Sequence, residues 1–206
     1  MSARYFWKMQ RIYLNPITKE KATILKTSQE TSGAFTLIEV ELQPDGGNPI
    51  HYHKRFTEHF FPKKGSLGVH YKGQELLLKP GADFKVPIND LHRFYNPTDQ
   101  AINFQARLEP GQHGFEKFMA VLFGLVRDGK TFSSNQIPYN PFYAALLLKW
   151  GDTHVDSLAF KILSPLIHLA VFIAQWLNLD KKLEQQYVWG QGLGKLLYRY
   201  KCIFQS

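Results

Sequence analysis

The chain has 206 residues, 44% of them hydrophobic and 15% aromatic, enough to bury a sizeable core in one compact domain with an appendage. Its formal net charge of +8 is spread evenly: 15 Lys and Arg stand against 11 Asp and Glu in residues 1–112, and 10 against 6 in residues 113–206. No basic stripe and no nucleic-acid motif accompany that charge, so no nucleic-acid partner is expected; the single Cys202 excludes an internal disulfide framework and favours a cytoplasmic, reducing setting.

The opening MSARYFWKMQR has no long apolar run after its basic residues, so no secretory signal is expected. RIYLNP reads as a short strand ended by the turn pair Asn15-Pro16, and ATILKTS as a second strand closed by polar residues and Gly33. AFTLIEVELQP alternates, with Phe35, Leu37, Glu39 and Glu41 on one face and Thr36, Ile38, Val40 and Leu42 on the other. SLGVHYKGQELLLKPG reads as a hairpin turning at Lys72-Gly73. DFKVPI, HRFYNP and INFQARLEP complete a set of short strands, which predicts a mainly β fold, an antiparallel barrel or jelly roll, over residues 1–112. From residue 113 to 206 the signal becomes helical. Phe115, Phe118, Met119, Leu122, Leu125 and Val126 recur at helical spacing before Gly129; FYAALLLKW reads as a second helix ending at Gly151. A third is expected from about Asp156 to Leu179, interrupted at Pro165 and continuing into KKLEQQY.

Chemistry concentrates in the β part. His51, His53, Glu58 and His92 are groups that divalent transition metals accept, neutral imidazoles and a carboxylate. In a strand, His51 and His53 share a face, whereas Glu58, five residues on, needs a bend or bulge to join them. His92 must come from a distant strand folded back across the first.

The spacing resembles the two motifs of the cupin superfamily. The first reads Gly46, His51, His53, Glu58, Gly65 here, with the leading gap one residue short; the second reads Gly81, Pro87, Asn89, His92, Asn96, with Asn where the motif has Gly. Beyond these motifs the chain looks like a group of small bacterial cupin-domain proteins. They share an Asn-Pro-x-Thr-x-Glu opening (Asn15, Pro16, Thr18, Glu20) and a Phe-Gly-Leu-x-Arg-Asp-Gly-Lys signature (Phe123 to Lys130). The likeness covers about residues 11 to 179. It implies a double-stranded β-helix barrel with a C-terminal helical extension, and a homodimer. It also implies one divalent transition metal ion (Fe, Mn, Ni, Cu or Zn) on His51, His53, Glu58 and His92. Four protein ligands leave positions open for water, substrate or dioxygen.

Asn96 and Tyr95 are candidates to orient His92, and Phe60 is a candidate for the pocket wall. Arg107 shares a strand face with Gln105 and Asn103; a solvated outer face is the first reading, and were that face inward, Arg107 would hold a substrate carboxylate. Phe56, Phe60, Phe61, Phe84, Phe94 and Phe104 cluster around the ligand strands and read first as core; were some to line the pocket, a lipophilic or aromatic substrate would be favoured. Sequence alone names no catalytic acid or base. ILSPLIHLAVFIAQWLNL (162–179) reads as a helix packed on the barrel or on a dimer partner. A spanning helix or an interfacial one are the alternatives; Trp176, Trp189, Lys181, Lys182, Lys195, Arg199 and Lys201 would suit contact with a membrane. The functional expectation is a metal-dependent enzyme of quercetinase-like dioxygenase type acting on a small molecule. Isomerase or lyase chemistry, a non-catalytic binding or sensor barrel, and a membrane-associated cupin anchored by its tail are the alternatives.

Overall fold

Alternation decides the sheets. In a computed structural model of the chain, which describes residues 10–189, strand β1 (Ile12–Asn15) is followed by β2 (Glu20–Lys26) and β3 (Thr36–Leu42). β2 turns Glu20, Ala22 and Ile24 inward, and β3 turns Thr36, Ile38, Val40 and Leu42 inward. Strand β4 (Thr57–Lys64) carries Glu58 and Phe60 on its buried face; β5 (Leu67–Tyr71) and β6 (Gln74–Leu78) form the hairpin expected at Lys72-Gly73, where both residues take positive φ. The short β7 (Phe84–Val86), β8 (His92–Tyr95) and the long β9 (Ile102–Glu109) complete the set. All pairings are antiparallel. One sheet runs β1-β2-β3-β9-β4-β7 and the other β6-β5-β8, the two layers of a jelly roll.

The layers meet through aromatic rings. Phe94 of the small sheet packs edge-on against Phe60 and Phe104 of the large one, with ring centroids 6.0 and 5.1 Å apart. β9 lies between β3 and β4 and buries Ile102, Phe104, Ala106 and Leu108, so its polar face looks outward. Arg107 on that face pairs with Glu109 at 2.5 Å and stacks on Phe35.

Helix α1 (His113–Arg127) opens the helical part. Its first turn is bound to the barrel by Glu116, which is 1% exposed and accepts from the Ser28 amide at 2.6 Å and the Thr36 hydroxyl at 2.7 Å. Gly129, at φ +65, ends it, and the Lys130 amide returns to the Leu125 carbonyl. Helix α2 (Pro141–Gly151) begins on an Asn140 side-chain cap and ends at Asp152, which takes φ +48. Helix α3 (Leu158–Trp176) runs through Pro165 as a single helix, a correction to the expected interruption. The break falls instead at Asn178, with φ +55, after which α4 (Leu179–Leu183) and a π-helical turn (Glu184–Val188) follow at a bend of 73°. No single described helix is long and apolar enough to cross a membrane.

Candidate metal centre and cavity

One segment, between β3 and β4, and two strands deliver the four donors: His51 and His53 from the segment, Glu58 from β4 and His92 from β8. His51 sits on an isolated bridge to His92, whose amide and carbonyl it meets at 2.9 and 3.0 Å, so the second motif lies directly against the first. Between His53 and Glu58 the chain bends at Lys54-Arg55 instead of continuing as a strand. Asp152 fixes that bend: one carboxylate oxygen accepts from the Lys54 and Arg55 amides at 2.8 and 2.7 Å. The bend brings Glu58 onto the face it would otherwise miss. Asn89 takes φ +66, the left-handed turn for which the cupin motif has Gly, and its amide donates to the His53 carbonyl at 2.7 Å.

All four side chains are buried, between 1% and 6% exposed. Each imidazole is oriented the same way. Nδ1 of His51, His53 and His92 lies 2.8, 3.0 and 2.9 Å from the carbonyl oxygens of Pro49, Asp152 and Asp90. A carbonyl only accepts, so each Nδ1 carries the proton and each Nε2 turns a lone pair to the centre. There the Nε2 atoms of His51 and His53 face each other at 3.1 Å, His92 Nε2 lies 3.0 Å from a Glu58 oxygen, and His53 Nε2 lies 3.7 Å from the same oxygen. The four donor atoms lie within 4.8 Å of one another.

Such a set suits a cation. Neighbouring donors on an ion with bonds of about 2.1 Å stand about 3–3.5 Å apart; the 3.0 and 3.1 Å contacts fall in that range, and the third, at 3.7 Å, is slightly longer. Two lone pairs pointed together without a cation between them repel. Burial, then the neighbouring His53 and His92, push the His51 imidazole down to about 3, so it does not relieve this by protonation. Burial works to raise the Glu58 carboxyl, but the hydrogen bonds and charge of His53 and His92 outweigh it and hold Glu58 below the usual carboxylate range. For His92 burial opposes charging and the Glu58 contact prevails, so its value rises.

The centre opens on a cavity of about 620 Å³ that His51 and Glu58 help to line. Ala22, Ile38, Val40 and Phe94 form its barrel wall, and Phe115, Phe118, Met119 and Leu122 of α1 form its roof. Segment 135–139, α2 and Leu163, Leu166, Ile167 and Ala170 of α3 complete the lining. The helical extension is therefore half of the pocket.

The remaining predicted residues lie elsewhere. Asn96 is a loop clamp: its amide donates to the carbonyls of Leu42 and Gln100 at 3.0 and 2.8 Å. Tyr95 stands over Gly68 beside Arg93. Arg107 is on the outer face, since β9 buries its apolar side. Phe60 is fully buried, its ring 6.3 Å from that of His92, and packs beneath the centre without lining the cavity. Of the six phenylalanines near the ligand strands only Phe94 lines it; the other pocket aromatics are Phe115, Phe118 and Phe123 of α1 and Tyr139. Asp152 and its grip on His53 carried no local signal, because the two are 99 residues apart.

Comparison with known proteins gives the following. Residues 38–105 match the cupin domain family. The quercetin 2,3-dioxygenase of Bacillus subtilis (strain 168) is 28% identical over 143 residues, covering 69% of this chain and 39% of that protein, so this chain spans well under half the length of that relative. An RmlC-like cupin from Shewanella frigidimarina is 16% identical, covers 52% of this chain and 89% of its own, and has a TM-score of 0.44. A predicted oxalate decarboxylase from Thermotoga maritima is 16% identical, covers 50% of this chain and 92% of its own, also at 0.44.

Proposed function

Because the barrel of this chain belongs to the cupin superfamily, we propose that it is a metal-dependent oxygenase, of the quercetinase-like sort, acting on a small lipophilic or aromatic molecule. The observation that carries this is the convergence of three imidazoles and a carboxylate on the wall of a mostly apolar cavity. His51, His53, Glu58 and His92 would hold one divalent transition ion, which supplies Lewis acidity and, as iron or copper, a route for electrons between substrate and dioxygen. The carbonyls of Pro49, Asp90 and Asp152 keep the imidazoles aimed, so little reorganisation is needed on binding. As a ligand to that ion, Glu58 would not be a free base. Phe115, Phe118 and Leu122 line the cavity opposite the barrel wall and would surround an apolar substrate. Oxygenase chemistry is preferred to isomerase or lyase chemistry because the curated relative is a dioxygenase.

The test is elemental mass spectrometry of protein purified without chelator or nickel, followed by oxygen uptake on flavonols, catechols and β-diketones. About one equivalent of iron, copper, manganese or nickel with substrate-dependent oxygen uptake is expected. Zinc with no uptake would turn the reading to isomerase or lyase chemistry, and no metal even when offered would leave a ligand-binding barrel.

A second reading concerns placement. Leu158, Ile162, Leu166, Leu169, Phe172 and Trp176 of α3 are 54–75% exposed on one helical face, and Leu166 also borders the cavity. That face suits contact with a membrane surface, from which a lipophilic substrate would enter the pocket. A homodimer that covers the same face is the competing arrangement. Of the basic residues that would accompany it, Lys181 and Lys182 are exposed, while Lys195, Arg199 and Lys201 lie outside the described residues.

A further inference from the structure

The cavity holds a second polar feature that the metal centre does not use. Strand β2 turns Glu20, Ala22 and Ile24 into the barrel, and the approach to it places Thr18 and Asn15 on the same wall. Asn15 is satisfied: its amide donates to Gln136 at 2.6 Å, and its oxygen accepts from the amides of Ile17 and Thr18. Thr18 and Glu20 are not. Both are more than nine-tenths buried and both line the cavity, yet Thr18 Oγ1 and one Glu20 carboxyl oxygen find no hydrogen-bond partner among the described residues. Burying such groups unpaired is unfavourable, and an apolar side chain would fill either position without that cost.

We propose that Thr18 and Glu20 form a second recognition point in this cavity, apart from the four-donor centre, that hydrogen-bonds a hydroxyl group on an otherwise aromatic or alicyclic ligand. The inference rests on the cavity being the ligand site, as proposed above, but not on the metal. It specifies the ligand: an apolar body with one polar end at the centre and a hydroxyl displaced from it. Burial, with a further push from the Glu58 charge, raises the Glu20 carboxyl to about 8, so near neutral pH it is a neutral acid that both donates and accepts. A neutral hydroxyl is the complement to such a group, more than a cation is.

The experiment compares 2-naphthol with naphthalene by calorimetric titration at pH 7, on the protein as isolated and again after metal removal with a chelator. The wild type is expected to prefer 2-naphthol by about tenfold, the scale of one buried hydrogen bond. That preference should survive chelation. Glu20→Leu should lose it while still binding naphthalene, Glu20→Gln should retain most of it, and Thr18→Val should weaken it. Should Glu20→Leu fail to fold, Glu20→Gln and Thr18→Val decide, since both conserve size. Equal or absent binding of the two probes by the wild type, or a preference unchanged by Thr18→Val and Glu20→Leu, overturns the proposal. A preference lost on chelation but untouched in the variants would also overturn it, while supporting the metal centre.

Discussion

A histidine becomes a ligand through what its other nitrogen does. Each imidazole here has Nδ1 tied to a main-chain carbonyl, which no side-chain substitution removes directly, so the Nε2 lone pairs are preset. Two kinds of variant should then separate. His51→Ala or His92→Ala removes a donor and should drop bound metal from about one equivalent to less than ~0.1, with no recovery when metal is offered. Asp152→Ala keeps all four donors but frees the Lys54-Arg55 bend. It should weaken metal affinity by about 10–100-fold and be restored by excess metal. Competition with a fluorescent chelator measures both, and equal loss in the two would count against a positioning role for Asp152. Glu20 offers a pH test. Its carboxyl is raised to about 8 in the fold, so the native state binds more protons than the unfolded chain between the ordinary glutamate range and that value. Stability should therefore fall with rising pH across this window, by up to about 1.4 kcal/mol per unit, and Glu20→Gln should flatten the fall. Urea midpoints of the chelated protein at pH 5, 6, 7 and 8 read it directly. The clustering of His51, His53, Glu58 and His92 was legible in sequence because the spacing within each motif is local. Arg107 was not: parity shows which residues share a face, but only the placement of β9 between β3 and β4 shows which face is inside.

At the scale of elements, the helical extension is attached by individual polar and steric locks. The stretch Phe123 to Lys130 illustrates this. Gly124 is the point where the ring of Tyr187, from the π-helical turn, crosses α1, and a Cβ there would overlap that ring. The Tyr187 hydroxyl donates to Asp128 at 2.9 Å and accepts from Lys130 at 3.1 Å. Lys117 adds an ion pair to Glu184 at 2.9 Å. Gly124→Ala should therefore destabilise by about 2–4 kcal/mol, through displacement of the ring, and Tyr187→Phe by about 1 kcal/mol, through loss of the hydroxyl contacts. Denaturant unfolding checks both; a neutral Gly124→Ala would mean the π-helical turn yields freely. Sequence reading found α1 from its period and its Gly129 end. The period marks Phe115, Phe118 and Leu122 as apolar helix positions without saying what they face, and in the fold α1 offers these three to the cavity. Period alone does not distinguish a helix face that meets a core from one that meets a pocket.

For the molecule as a whole, the unresolved physical tension is α3. Only Val171 and Ala174 of its described side chains are fully buried, while six large apolar ones on one face meet solvent. Each such side chain gains about 1.5–3 kcal/mol when removed from water, so a face of this kind favours association. Its apolar composition predicts a packed helix from sequence, because hydrophobicity reports the need for a cover and not what supplies it. Membrane contact predicts that the wild type co-sediments with vesicles containing phosphatidylglycerol, more weakly with purely zwitterionic ones, since Lys181 and Lys182, like Trp176, are exposed. Leu169→Asp with Phe172→Asp removes two apolar anchors and adds two charges. It should lower partitioning at least ~100-fold while leaving the metal content unchanged, because neither residue lines the cavity. Sedimentation velocity on the same pair of proteins separates the competing arrangement. A wild-type dimer that becomes monomeric in the double variant, with no vesicle binding by either, would assign the face to a subunit interface. A wild-type monomer that binds vesicles would place the mouth of an apolar cavity at the lipid surface, where a lipophilic substrate is most concentrated.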